Sequence, residues 1–373
     1  MKYLKKAFMP ALRHKPCNQR PFVEMIRASN IARRLHTFTW RSYRDSFSSL
    51  SSEGGGRENE SNHVYVSDNF TDHKGMQLCF LGTSSSIPTL RRNTSCLALR
   101  LGNIFITHMH GDHIFGLPGL LSGLGITTNS AEAKNIYGPE GLRIWIRETL
   151  KACHGGIHSK YAVHEFKMGK RPKSRQGAKQ DDRYEDKHHI VKAGMVEHSI
   201  PCWGFLLEEK PRPGKFNVEQ ARKLGVKPGP DFAFLQKGHS VISKFGQKIN
   251  PSDVLGHSRR GRKIVILGDT NNPRSLLEAA KGADVLVHEC TMLEEDAGEA
   301  ECRGHSTASM AGKFAKAIGA RCLVLTHFGS KFEGNPSHIQ ASVQAARLAF
   351  GRENVIAAKD FMGVTVCQTD EPS

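Results

Sequence analysis

His108-Met109-His110-Gly111-Asp112-His113 sets four metal-ligating side chains within six residues, directly after the apolar run Asn103-Ile104-Phe105-Ile106-Thr107. A short run of that kind reads as a buried strand, so the cluster begins where rigid backbone can hold donors at fixed separations. On the loop that follows, two imidazoles can face one metal ion while the carboxylate and a third imidazole face another. Gly111 lets the backbone turn sharply, and Ile114-Phe115-Gly116-Leu117-Pro118-Gly119 opens an apolar segment able to seat the loop.

A single His or Asp at a strand end is more often a cap or a loop hydrogen-bonding residue than a ligand. Here the arrangement recurs. Residues 264–267 form an apolar strand that delivers Gly268 and Asp269, residues 322–326 deliver His327, and His198 sits in Glu197-His198-Ser199-Ile200-Pro201. Two zinc ions need about seven donors, and the six-residue cluster supplies four of them.

Farther out, residues 76–81 read as a strand running into the turn Gly82-Thr83-Ser84-Ser85-Ser86, and 96–101 as a second strand. Helical periodicity marks 274–281, 307–318 and 339–350, with Ser306 placed to cap the second. Strands alternating with helices predict an α/β layered fold.

Residues 209–262 break this rhythm. They hold five prolines and seven glycines among few apolar residues, with twelve Lys or Arg against four Asp or Glu. Such a stretch reads as a basic insertion projecting from the core, suited to phosphate contacts that position a nucleic acid without reading its bases. Arg259, Arg260, Arg262 and Lys263 at its exit are candidates for the same task. A second basic patch, 167–179, is diluted by Asp181, Asp182, Glu185 and Asp186 and reads as a surface loop.

The charge of the whole chain agrees: 53 Lys plus Arg against 36 Asp plus Glu, a formal +17, draws polyanions of any kind. Nine cysteines, an odd number with no CxxC pair, argue against a disulfide framework and for a reducing compartment. No run approaches the roughly 18 apolar residues of a membrane-spanning helix. Residues 1–50 carry eleven Lys or Arg and only Glu24 and Asp45 as acids, the composition of either a transit peptide or an untargeted basic tail. The expected organisation is therefore a basic, Ser-rich extension over 1–74 and one folded domain over 75–373. Cytoplasm or nucleus is the expected location, or the mitochondrion if the basic segment is a transit peptide.

Over residues 76–365 these motifs resemble tRNase Z, the tRNA 3′ processing endoribonucleases of the metallo-β-lactamase superfamily. The resemblance implies a four-layer αββα sandwich with an inserted flexible arm. It implies two Zn²⁺ per subunit, with Mn²⁺ as a substitute: His108, His110 and His198 on the first, Asp112, His113 and His327 on the second, and Asp269 bridging them. Zinc lowers the pKa of coordinated water from 15.7 to about 7, which makes hydrolysis at neutral pH feasible. By the same resemblance Asp112 orients the attacking water. In His288-Glu289-Cys290-Thr291 and Gly304-His305-Ser306-Thr307-Ala308, it implies that Glu289 orients His305, which protonates the leaving oxygen or steadies the phosphate. The family usually carries Ala or Ser where this chain has Cys290, a change close in size.

Leu224-Gly225-Val226-Lys227-Pro228-Gly229-Pro230 resembles the Gly-Pro motif of the family's RNA-gripping arm, making Gly229 and Pro230, with Lys215, Arg222 and Lys223, candidate RNA contacts. The implied substrate is precursor tRNA, cut after the discriminator nucleotide, and the implied assembly is a homodimer in which each arm serves the other active site. Alternatives are another phosphodiesterase of the same fold, or an impaired RNA-binding isoform. The latter arises because relatives place an Asp-Cys-Gly-Glu-Gly-Thr-Gln type motif and a helix before the strand leading to the cluster, whereas here Gly102 alone separates Leu101 from Asn103. The expectation is a shortened chain that keeps all seven ligands and leaves part of a sheet uncovered.

Overall fold

Cys202-Trp203-Gly204-Phe205-Leu206-Leu207 is apolar at nearly every position rather than every second one, the pattern of a strand covered on both faces. The protein is described by a computed structural model over residues 64–67, 76–99, 103–121, 134–153, 160–167 and 183–368. In it the strand Cys202–Glu209 lies inside a seven-stranded sheet. The order is Val355–Ala357, Cys322–Thr326, Val285–Glu289, Lys263–Ile266, Cys202–Glu209, His189–Val196 and Arg183–Glu185. The first four run parallel and the remainder pair antiparallel.

Side chains alternate across a strand, and the two faces of this sheet therefore feed two cores. Trp203, Phe205 and Leu207 pack with Met76, Leu78, Phe80, Val364 and Val366 of a four-stranded antiparallel sheet. Cys202 and Leu206 point the other way, into a core shared with Ala308, Ala311, Phe314 and Ala315 of the helix Ala308–Ala317 and with Ala346 and Phe350 of Pro336–Phe350. Each fully buried side chain of this size stabilises the fold by about 1.5–3 kcal/mol. A three-stranded parallel sheet, Ile104–Phe105, Lys134–Pro139 and Tyr161–Phe166, packs through Ile106, Ile136 and Val163 on the helix Leu142–Ala152 and seats the loop that carries the histidine cluster. The α/β layering expected from the sequence is present.

Three details differ from the sequence reading. Val64–Ser67 lies within the stretch assigned to an extension, yet it pairs antiparallel with Met362–Val366; its alternating β-branched residues suit an edge strand. The helix Ala308–Ala317 is capped by Thr307, not Ser306, because the Ser306 hydroxyl is turned inward and donates to the Thr270 carbonyl at 2.6 Å. The insertion also has a core of its own: Ala221, Val226, Leu235, Ile249 and Val254 cluster between two short helices, one capped by the Asn217 side chain and the other begun by Pro230.

The four-stranded sheet ends at Cys96–Leu99 and the three-stranded sheet at Ile104–Phe105, and no ladder joins these two strands among the described residues. Residues 1–63, which include the basic N-terminal segment, lie outside the described residues, as do 100–102 and most of the second basic patch. Among the described residues every cysteine is free and no helix is long and apolar enough to cross a membrane.

Candidate metal centre

Four loops, each leaving the end of a strand, converge at one edge of the sandwich. The loop after Ile104–Phe105 brings His108 and His110 and runs, unlike the expected continuous loop, into the one-turn helix Gly111–Ile114 that carries Asp112 and His113; the loops after His189–Val196, Lys263–Ile266 and Cys322–Thr326 bring His198, Asp269 and His327. Ligand atoms of His108, His110, His198 and Asp269 lie within 4.8 Å of one another, and so do those of Asp112, His113 and His327. The structure thus brings together all seven residues that the resemblance names as ligands. Asp269 Oδ2 stands 3.6 Å from His108 Nε2, 3.5 Å from His113 Nε2 and 3.3 Å from His327 Nε2, which puts it between them.

The ring nitrogens face each other as well as these carboxylates. His108 Nε2 and His198 Nε2 stand 3.1 and 3.2 Å from His110 Nδ1, and His113 Nε2 stands 3.2 Å from His327 Nε2. Five imidazoles and two carboxylates converging on one small space are the nitrogen and oxygen donors that divalent ions take, so this donor set fits such ions. The charge environment agrees. Burial and the facing imidazoles hold His108 down at about 2, leaving it a neutral ligand. For His113 burial acts downward, but Asp269 and Asp112 outweigh it and push it up to about 10: the carboxylates demand positive charge here. Despite complete burial, Asp269 is held well below the usual carboxylate range by His327 and His113.

Sequence reasoning missed the groups that aim the ligands. His198 Nδ1 donates to the Gly304 carbonyl at 2.7 Å, which leaves Nε2 for the cluster. His327 Nδ1 lies 2.8 Å from Thr291 Oγ1, and His108 Nδ1 lies 3.0 Å from Thr107 Oγ1 and 3.6 Å from Cys202 Sγ. Ser86 donates its backbone N–H to Asp112 Oδ2 at 2.7 Å from a left-handed backbone, φ 62°, and His327 is also left-handed at φ 58°. Such strain outside glycine persists only where surroundings enforce it, commonly at functional sites. The motif neighbours Thr107 and Thr291 were the available signal; the Ser86 contact had none, because it crosses from another sheet.

Glu289, buried at 2% exposure, accepts from Thr270 N at 2.6 Å, Ser306 N at 3.1 Å and the Thr291 hydroxyl, and both its oxygens lie 3.1 Å from His305 Nδ1. Burial acts to lower His305, but the Glu289 hydrogen bond prevails and raises it, so the ring retains a proton more readily than a free imidazole. His305 also lies near Asp269 and His327 as a third group of donors. Its nitrogen nearest Asp269, Nδ1 at 4.0 Å, is the one committed to Glu289, which disfavours a ligand role.

The expected RNA contacts divide. Lys215, Arg222, Lys223, Gly229 and Pro230 all lie on the insertion, with Arg222 and Lys223 closing one of its helices and Pro230 starting the other. Three cations at its exit instead turn inward: Arg260 to Asp284, Arg262 to Glu209, and Lys263 to Glu208 and two backbone carbonyls. Density of charge along the sequence did not distinguish these from the arm's exposed cations.

A beta-lactamase superfamily domain matches residues 186–328. The chain is 35% identical over 321 residues to a ribonuclease Z of Synechococcus sp. (strain CC9605), covering 78% of this chain and 98% of that protein. It is 37% identical over 317 residues to one from Microcystis aeruginosa, covering 77% and 95%. Among solved structures, human tRNase Z, short form, superposes with a TM-score of 0.53 at 28% identity, covering 78% of this chain and 99% of that one. The 321-residue alignment takes in 78% of 373 residues, about 291, so about 30 aligned positions have no counterpart in this chain.

Proposed function

The chain belongs to the ribonuclease Z family of metallo-β-lactamase-fold hydrolases, and we propose from this that it is a zinc-dependent endoribonuclease cutting the 3′ trailer from precursor tRNA after the discriminator nucleotide. The observation that carries the proposal is the pair of donor groups meeting at Asp269, with a folded basic arm inserted in the same domain. His108, His110 and His198 would hold one ion, Asp112, His113 and His327 the other, and Asp269 both. When bound, two such ions supply an activated water near neutral pH and neutralise the phosphate oxygens.

The remaining work falls to the chain's own groups. Asp112, fixed by the Ser86 N–H, orients the attacking water. His305 is held by Glu289 with a proton available for the departing 3′-oxygen, which leaves the tRNA with a 3′-hydroxyl. Lys215, Arg222 and Lys223 contact phosphates away from the cut, and the Gly229-Pro230 turn belongs to the same gripping surface. The reading extends to a homodimer in which each arm serves the partner's site. Incubation of the protein with Zn²⁺ or Mn²⁺ and a 3′-extended tRNA, with the product ends mapped, tests it. No cut near the discriminator with either metal would refute it.

A second reading has one observation behind it. The sheet edges at Cys96–Leu99 and Ile104–Phe105, with about 30 unmatched positions in the alignment, favour a shortened form with reduced activity.

A further inference from the structure

Residues 210–262 leave the seven-stranded sheet and return to it between hydrogen-bonded neighbours, with Glu208 opposite Lys263 across the ladder. The arm therefore joins the body through a narrow root, a ribbon of two extended segments held by isolated bridges between Arg212 and Arg259 and between Phe216 and Leu255. Glu209 N–H donates to the Arg262 carbonyl at 2.8 Å, Arg212 and Arg259 exchange backbone bonds at 3.0 and 2.9 Å, and Gly256 N–H donates to Lys215 O at 3.0 Å. Two strands alone are marginally stable and have little stiffness. The segments also run unusually close: a Cβ on Gly261 would stand 1.7 Å from the Glu209 carbonyl oxygen.

At the base of this ribbon sits a buried ion pair, Glu209 at 5% exposure and Arg262 at 9%. Arg262 binds the carboxylate with both arms of its fork, Nε to Oε2 at 2.7 Å and Nη2 to Oε1 at 3.0 Å, the geometry that gives such pairs direction as well as strength. Its third nitrogen, Nη1, donates to the carbonyl of Val366 at 3.0 Å, on the last strand of the four-stranded sheet. Arg212 donates to the same carboxylate and, through Nη1, to Gln368 Oε1 at 3.2 Å. The root of the arm is thus tied to both sheets here, beside the flanking ties of Arg260 to Asp284 and of the Lys210 N–H to the His188 carbonyl at 2.8 Å. Stability alone does not call for ions there, since a buried pair is often replaceable by apolar residues without loss.

We infer that the Glu209–Arg262 pair is the joint that sets the bearing of the arm relative to the metal centre, and so determines recognition of a large RNA without touching the chemistry. The inference rests on the endoribonuclease reading above. The fork fixes the angle at which the ribbon leaves the sheet, and a small angular error at the root becomes a displacement of several ångströms at the arm's outer end. Phosphate contacts that no longer coincide with the RNA weaken its binding, whereas a small diester that reaches only the metal centre is unaffected.

Two variants of the full chain, Arg262→Lys and the double apolar change Glu209→Leu/Arg262→Met, separate the joint from simple stability. Kinetics are followed on a 3′-extended tRNA and on bis(p-nitrophenyl) phosphate. The expected result is a KM for the RNA raised by about tenfold or more, as geometric misplacement implies, with kcat and diester hydrolysis within about twofold of wild type. Equal losses on both substrates, or an unchanged RNA KM in both variants, would overturn the joint. Amide exchange of residues 210–216 and 255–261 is read in parallel and requires no RNA: faster exchange in the variants is expected, and unchanged protection rejects the inference. A wild-type chain that hydrolyses the diester but leaves the RNA intact would instead refute the endoribonuclease reading, and the joint would then be judged on exchange alone.

Discussion

Both carboxylate oxygens of Glu289 lie 3.1 Å from His305 Nδ1, while backbone N–H groups of Thr270 and Ser306 hold that carboxylate from behind. His305 is thereby fixed in one orientation at the margin of the metal cluster. Replacing His305 with Ala should leave metal content near wild type and slow cleavage by roughly 10² to 10⁴, the range for loss of a general acid. Elemental analysis beside single-turnover kinetics checks this; loss of metal would reassign His305 as a ligand.

Asp269 touches both groups of donors, so Asp269→Ala should strip metal and reduce turnover by several orders of magnitude with only a modest loss of RNA affinity. Two ions per chain retained at unchanged activity would refute its bridging position. A gel-shift titration supplies the affinity.

Neutralising Lys215, Arg222 and Lys223 together should raise the RNA concentration needed for cleavage and flatten its dependence on salt. Each lost phosphate contact lowers the logarithmic salt slope by about 1. An unchanged slope would put the RNA-binding surface elsewhere.

The buried Glu209 yields a pH prediction. Burial acts upward on its pKa, but Arg262 and Arg212 outweigh it and hold the carboxyl down at about 2. A depressed folded-state pKa contributes stability above the unfolded value of about 4.3, and that contribution is lost as pH falls through about 2. Wild type should therefore lose melting temperature between about pH 4.3 and pH 2 more steeply than Glu209→Leu/Arg262→Met, in which this group is absent. Identical acid limbs would show that the pair adds nothing in this window. Arg262→Ala, by contrast, leaves the buried carboxylate with Arg212 as its remaining cation and should cost at most about 3–5 kcal/mol at neutral pH by chemical denaturation.

Inserting the roughly 30 residues that the aligned relatives carry should raise both thermal stability and metal retention. If a missing segment leaves even a few hundred Å² of apolar surface bare, the cost at about 25 cal/mol per Å² is several kcal/mol, against a total stability of about 5–15 kcal/mol. Groups behind metal ligands typically contribute another 10- to 100-fold in affinity. Equal melting curves and metal titrations for the two forms would show that the shorter chain is self-sufficient.

The sequence made the metal cluster legible because its chemistry is local. Four donors share one six-residue stretch, and each of the other three follows an apolar strand or a short recognisable motif. The strand at residues 322–326 was placed to the residue, since continuous burial leaves an uninterrupted apolar run. What stayed hidden depends on distance along the chain. Ser86 reaches Asp112 from another sheet, and a cation's sequence neighbours do not show whether it meets solvent or, like Arg262, a buried carboxylate. The core of the insertion was hidden for another reason: five scattered apolar residues make no periodic pattern, yet they suffice for a cluster once two short helices bring them together.

The order in which the donors appear along the polypeptide has a consequence for biogenesis. His113 and His327 are 214 residues apart, yet their Nε2 atoms stand 3.2 Å from each other. During synthesis the first four donors emerge long before the last, and until the strand ending at Thr326 has docked, the group of Asp112 and His113 lacks its third donor. Closure of so long a loop carries a large entropic cost, which the two packed sheets must offset before that group can be completed. Completion of the second donor group is therefore a late event, following nearly complete domain assembly, and a nascent or truncated chain ending before residue 327 would present a half-built cation trap.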